Sequence, residues 1–299
     1  MKTTFFCILF MVLPLTAQAS LEVLACEPEW AALAEEIGGD MVKTSSATNP
    51  LQDPHYIQAR PSLIAKVRRA DLIICSGAQL EIGWLPMLLQ RGNNPSVTPP
   101  APGFLEASSF VSRLDVTGLT DRSQGDMHPQ GNPHVQTNPH NIRLVANAVA
   151  ERLAQVDAEN AEFYRQRLAD FTQRWTEAIS GWEERAAPLR GKRVIAHHKS
   201  WVYLEDWLGL EEVATLEPVP GVPPTATHLS TLLRRFEGDE HADFIIRAPF
   251  QNDKSSNWLS ERTGIPAVML PLTVGGSDQA TDLFRFFDDI IDRLLSAQG

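Results

Sequence analysis

Residues 193–216 read RVIAHHKSWVYLEDWLGLEEVATL, and their rhythm decides the fold. The run Arg193 to His197 has the length and composition of a buried strand; Ser200 to Leu208 follows as a helix and Glu212 to Leu216 as a second strand. Strand, helix and strand in so short a span predict a parallel sheet, because parallel neighbours need a crossover and a helix supplies it. Toward the C-terminus the alternation continues. A Pro-rich turn, Pro218 to Pro224, precedes a helix at Thr227 to Phe236, a strand at Asp243 to Arg247, a helix at Asn252 to Thr263, a strand at Ala267 to Leu270 and a helix at Asp278 to Leu295. Toward the N-terminus it recurs: strand Leu21 to Ala25, helix Pro28 to Ile37 stopped by Gly38 and Gly39, a β-type run Met41 to Ser45, and a loop Asn49 to His55. Helix Pro61 to Arg69, strand Ala70 to Cys75 and helix Leu80 to Gln90 complete that half. Residues 92–138, rich in Pro, Gly, Ser and Asn, are expected to be irregular, and Asn138-Pro139 opens a helix through Val156.

Between the halves, Ala161, Tyr164, Leu168, Phe171, Trp175, Ala178 and Trp182 step by three or four with charged residues between them. This spacing predicts one amphipathic helix over Ala158 to Ala187, roughly 45 Å long at about 1.5 Å per residue, ending before Pro188. The alternative is two helices broken near Gly181. The expected architecture is α/β: two Rossmann-like domains, residues 20–157 and 188–299, joined by a long rigid helix over residues 158–187.

Composition narrows the function classes. Of 299 residues, 37 are acidic and 26 basic, a formal charge of -11, and 43% are hydrophobic. Such a chain is globular, and the acidic balance without a dense Lys/Arg run argues against nucleic-acid binding. Lys2, the apolar run Phe5 to Leu15 and Ala17-Gln18-Ala19 read as a secretory signal peptide over residues 1–19, leaving a mature chain from near Ser20. No later run approaches the roughly 18 to 20 apolar residues of a membrane span, so the mature protein is expected to be soluble. Val23-Leu24-Ala25-Cys26 offers a rival reading as a lipoprotein processing site with Cys26 acylated, but Glu22 would interrupt its hydrophobic region. Removing the leader removes Cys7, and Cys26 and Cys75 in an oxidising compartment are expected to form a disulfide, with two unpaired buried thiols as the alternative.

Enzymatic signatures are missing from the sequence. It holds no Gly-rich phosphate loop, no G-x-S-x-G elbow, no H-E-x-x-H helix and no G-x-G-x-x-G after a strand. Histidines remain, at positions 55, 128, 134, 140, 197, 198, 228 and 241. His55 follows a strand, His134 precedes a helix, and His197 and His198 end a strand. Open α/β sheets bind ligands outside the carboxyl ends of their strands, so these positions would line a cleft between two such domains. Imidazoles with a carboxylate make a good tetrahedral zinc set.

Several segments then resemble a known family in order along nearly the whole mature chain. Asp53-Pro54-His55 resembles the G-x-D-P-H segment of the periplasmic zinc and manganese binding proteins of ABC importers, the cluster A-I or zinc-uptake solute-binding family. Pro61-Ser62 with Ala70-Asp71-Leu72-Ile73, Leu80-Glu81 with Trp84-Leu85, and Asn132-Pro133-His134-Val135 with Asn138-Pro139 and Asn141 are similar to further family motifs. So is Asp157-Ala158-Glu159-Asn160-Ala161 through Tyr164, at the start of the connecting helix.

The resemblance implies metal ligands at His55 and His134. It implies a third at His198, where His198-Lys199-Ser200-Trp201-Val202-Tyr203 is similar to an H-D-A-F-x-Y segment, with His197 as the alternative. Histidine rather than a carboxylate at that third position is the zinc-type choice. The family's acid in the last loop has no direct match at Leu270-Pro271-Leu272-Thr273; Asp278 is the expected fourth ligand, with Asp282 or water as alternatives and a helix N-cap as its structural reading. His128, in the loop 121–138, is a candidate for auxiliary metal capture, and His140, His228 and His241 are read as structural or solvated. The implied protein is no enzyme but a periplasmic, soluble monomer that binds Zn²⁺ as cargo for an ABC permease in the inner membrane, with a periplasmic zinc metallochaperone as a possible further partner. Alternatives are manganese specificity, an adhesin-type surface protein and a zinc hydrolase. A stiff connecting helix implies release by loop and small domain shifts rather than by a wide hinge.

Overall fold

The computed structural model describes residues 20–118 and 125–298. The signal-peptide reading of residues 1–19, and the part of the loop over 119–124, lie outside them. Two four-stranded parallel sheets form the architecture. The first has β1 (Leu21–Ala25), β2 (Val42–Ser46), β3 (Leu72–Cys75) and β4 (Phe104–Glu106) in the order β2-β1-β3-β4. Its helices are α1 (Pro28–Gly38), α2 (Pro61–Arg69), α3 (Leu85–Gly92) and α4 (Pro139–Val156). After the long helix α5 (Ala161–Ala186), the second sheet repeats the plan with β5 (Arg193–Ala196), β6 (Glu211–Thr215), β7 (Phe244–Arg247) and β8 (Ala267–Met269) in the order β6-β5-β7-β8. Helices α6 (Val202–Leu208), α7 (Ala226–Phe236), α8 (Lys254–Thr263) and α9 (Leu283–Ser296) flank it.

In both sheets the order reverses beside the first strand, between β1 and β3 and between β5 and β7. A crevice opens at such a point, because the crossovers on its two sides run to opposite faces of the sheet. The strand LIIC at β3 is buried along its whole length, as expected for a strand covered by helices on both faces. Cys26, just after β1, and Cys75, the last residue of β3, form a disulfide with Cα atoms 4.8 Å apart. The expected pairing of Cys26 with Cys75 is thus present.

The long helix holds the halves together. It is continuous through Gly181 and extended at both ends by single 3₁₀ turns, Ala158–Asn160 and Ala187–Leu189. It packs on α1 and α4 of the first half and on α9 of the second. Phe171, Trp175 and Trp182 are buried on its inner face. Trp175 lies 5.1 Å from Phe171, 4.8 Å from Phe284 and 5.6 Å from Phe287 between ring centroids, and its indole N–H donates to the Pro139 carbonyl at 2.8 Å. The Phe171 ring is stacked on Trp175 and the Phe284 and Phe287 rings meet it edge to face, arrangements that add attraction beyond the area they bury.

Three boundaries depart from the sequence reading. β4 lies inside the stretch expected to be irregular; it is an edge strand of three residues, too short for any alternation to show. The helix expected from Leu80 starts only at Leu85, because Ala78 and Gln79 take positive φ of 47° and 71° and turn the chain first. The last helix starts at Leu283 rather than Asp278, since Asp282 is its N-cap and accepts the Arg285 N–H at 2.9 Å.

Truncating the aromatic seam is expected to be costly. Trp175→Ala should lower the unfolding free energy by about 3–5 kcal/mol, read by urea or guanidinium denaturation, and a loss below about 1 kcal/mol would contradict this account of how the halves are joined.

Candidate metal centre

His55, His134 and His198 are each held by a hydrogen bond to another side chain. His55 sits in the loop after β2. Asp53 Oδ1 accepts both the backbone N–H of His55, at 3.0 Å, and its ring Nδ1–H, at 2.7 Å. The loop is pinned from below, where the Trp84 indole donates to the Pro54 carbonyl at 2.9 Å. His134 precedes a 3₁₀ turn and α4, and its N–H donates to Asn132 Oδ1 at 3.0 Å. The Asn132 amide in turn donates to the Lys199 carbonyl at 2.7 Å, and the Tyr203 hydroxyl donates to the Asn132 carbonyl at 2.8 Å. One asparagine thus ties the second histidine to the segment carrying the third. His198 follows β5, and its Nδ1 meets Glu217 Oε2 at 2.7 Å. That oxygen also accepts the Gly221 N–H at 2.8 Å.

The three rings converge. Their centroids are 5.5 Å (His55 to His198), 5.6 Å (His55 to His134) and 6.1 Å (His134 to His198) apart. One ligand nitrogen from each falls within 4.8 Å of the others. Zinc–nitrogen bonds of about 2.0–2.1 Å place tetrahedral nitrogens about 3.4 Å apart, so a modest contraction of the cluster completes three corners. Because carboxylates only accept, the Nδ1 atoms of His55 and His198 carry the protons, and Nε2 is the atom each ring offers. His134 is buried with neither ring nitrogen hydrogen-bonded, an arrangement a metal ion would relieve. Burial, and then the neighbouring histidines, hold its pKa well below the ordinary value, so the ring is neutral and ready to ligate. Burial opposes charge on Asp53, but its interactions with His55, led by the ring hydrogen bond, outweigh it and keep that carboxyl below its usual range.

The cleft beside the cluster is a cavity of about 400 Å³ whose walls include His55, His198, Tyr56, Glu217, Phe250 and Asn252. His197 lines the same cavity with its Nδ1 buried and without a partner, outside the three-ring cluster. Asp278 does not join the cluster either. It is exposed in the turn before α9, and the preceding Ser277 is tied to Asp289 of that helix at 2.6 Å. Asp282 is occupied as the N-cap of α9. His128 does approach: its Nε2 lies 3.2 Å from that of His55. Its loop is held to both halves, since the Tyr56 hydroxyl donates to Asp126 at 2.8 Å and the Asp126 N–H donates to the Pro220 carbonyl at 2.8 Å. The remaining histidines have other partners: His140 bonds Glu183, His228 the Thr215 carbonyl, and His241 Arg193.

Two helix-linked α/β halves with imidazoles converging in the cleft between them define a metal-binding solute receptor. The particular family is then plain: the profile described as zinc-uptake complex component A, periplasmic, matches residues 23–297, and the chain belongs to that family. Among curated relatives, the manganese ABC transporter substrate-binding lipoprotein PsaA of Streptococcus anginosus is 23% identical over 256 residues, covering 84% of this chain and 79% of its own. The metal ABC transporter substrate-binding lipoprotein SsaB of Streptococcus sanguinis is 26% identical over 269 residues, covering 88% and 84%. A crystal structure of ZnuA superposes with a TM-score of 0.75 at 21% identity, covering 92% of this chain and 99% of the other. The Mn-bound periplasmic metal-binding protein of Candidatus Liberibacter asiaticus gives a TM-score of 0.72 at 15% identity, with 93% and 99% covered. The chain is thus the extracytoplasmic metal-binding component of an ABC importer, a role that implies a membrane permease and its ATPase as partners.

The carboxylates behind the rings should matter almost as much as the rings. Asp53→Asn and Glu217→Gln are each expected to weaken metal binding by about 10–100-fold, measured by competition with a chromophoric chelator; changes below twofold in both would show that neither carboxylate orients its ring.

Proposed function

We propose that the cargo is Zn²⁺, held by His55, His134 and His198 and passed to the importer's permease. The observation that carries this reading is the donor set: three imidazoles, two of them fixed by carboxylates so that Nε2 is the atom offered. Nitrogen-rich sites of this kind suit zinc, whereas manganese favours carboxylate and water oxygens. Relatives named for manganese make the choice of ion worth a direct test. For the fourth corner we assign His128 in place of Asp278. Its nitrogen stands at 3.2 Å from that of His55, close to the edge of a zinc tetrahedron, and it shares a cavity with His198.

Metal analysis of protein isolated from its native compartment should return one zinc per chain, and zinc should displace manganese in competition. Loss of the third imidazole in His198→Ala should abolish stoichiometric binding. His128→Ala should weaken binding about tenfold or more, about 1.4 kcal/mol, while Asp278→Ala leaves it unchanged. Stoichiometric manganese, or intact zinc binding in His198→Ala, would overturn the assignment. Affinity should also fall as the pH drops below about 6.5, where protons compete with the metal for imidazole.

A further inference from the structure

We propose that Glu27 and Glu29, together with the side-chain oxygen of Gln136, form a second cation site beneath the histidine cluster, suited to one hard divalent ion of the Ca²⁺ type. The two glutamates flank Pro28 where β1 passes into α1, and they are 4% and 1% exposed. Each has one oxygen satisfied. Glu27 Oε2 accepts the Ser76 N–H at 3.3 Å and its hydroxyl at 3.1 Å, and Glu29 Oε2 accepts the Thr273 hydroxyl at 2.5 Å. The Oε1 atom of each glutamate is buried without a partner, and so is Oε1 of Gln136, whose Nε2 donates to the Leu272 carbonyl at 3.2 Å. These three side chains line one cavity of about 20 Å³, shared with Thr48, Asn49 and Thr273. A volume of that order holds a single water-sized occupant.

The chemistry of the lining selects the occupant. Among the described residues no lysine or arginine pairs with Glu27 or Glu29, and none lines the cavity. Two buried carboxylates without a counter-charge must take up protons or a cation. In the ion-free state burial, followed by repulsion from Glu81 and Glu29, raises Glu27 well above the ordinary carboxyl value, and burial raises Glu29 to about 7. A dication would reverse that preference and cancel both charges. The donors are carboxylate, amide and hydroxyl oxygens, which hard ions favour, and no imidazole lines the cavity, so zinc is drawn to the histidine cluster instead. Glu29 and Gln136 belong to the first half, and Thr273 and Leu272 to the second. An ion here would therefore brace the contact between the halves. The proposal uses none of the histidines and stands whichever metal they hold.

The test is calorimetric titration of Ca²⁺ into the zinc-saturated protein in a potassium chloride background, with thermal denaturation alongside. Wild type should take up one Ca²⁺ per chain with a rise in Tm, and more tightly at pH 8 than at pH 6 because protons compete. His198→Ala should retain the calcium equivalent. The Glu27→Gln/Glu29→Gln variant should lose it while keeping its zinc, and Gln136→Leu, which leaves both acids in place, should weaken calcium binding should the double variant fail to fold. Absence of a calcium equivalent in wild type at millimolar Ca²⁺, or calcium binding unchanged in the variants that fold, would overturn the proposal. A pocket that holds only protons would give the first of those results.

Discussion

Trp175 lies where both halves of the molecule meet, and the site depends on that meeting. The helix that carries it packs on α1 and α4 on one side and on α9 on the other, and its aromatic neighbours come from its own inner face and from α9. Arg185 adds bonds to Asp288 and Asp292 of α9 at 2.6 and 2.5 Å. A packed aromatic seam has few alternative arrangements at native density. The carboxyl ends of the two sheets are consequently held toward one another, and side chains from loops far apart in sequence can share one ion.

Polar contacts then refine what packing sets roughly. Asn132 joins the loop of His134 to the backbone after His198, while Asp53 and Glu217 fix two of the rings. Gly221 shows how closely the covering loop seats, because a side chain there would run into the Asp126 carboxylate and φ is +78°. A ring left to rotate would present the wrong nitrogen half the time. Clamping each one before the ion arrives moves that ordering cost from binding to folding.

Much of this was legible in the sequence, for identifiable reasons. The alternation of β and α segments is a strong local signal, and the apolar stripe from Ala161 to Trp182 predicted the connecting helix. His55, His134 and His198, which the structure brings together, were singled out through short motifs, each contained within a few residues of its own strand or helix. What escaped was non-local or short. Glu217 meets His198 from 19 residues away, across β6, and nothing in either segment announces the pair. Asp53 was visible beside His55, but its role needs the turn geometry. Asp278 stands outside the three-histidine group, and the N-cap of α9 is Asp282, a choice that four residues of sequence do not announce. β4 escaped because three residues at a sheet edge carry no periodicity.

The carboxylates behind His55 and His198 have an electrical consequence. A dication bound by the rings would have two carboxylates, Asp53 and Glu217, behind those rings and would offset their charge. Filled and vacant molecules differ by two elementary charges at the mouth of the cleft, and in physiological salt that difference extends over a screening length of about 8 Å. Tyr56 and Leu51, both exposed on the rim, lie beside that changing field. A membrane partner that docks over the rim would thus meet two electrostatically distinct surfaces, even where the backbone scarcely moves.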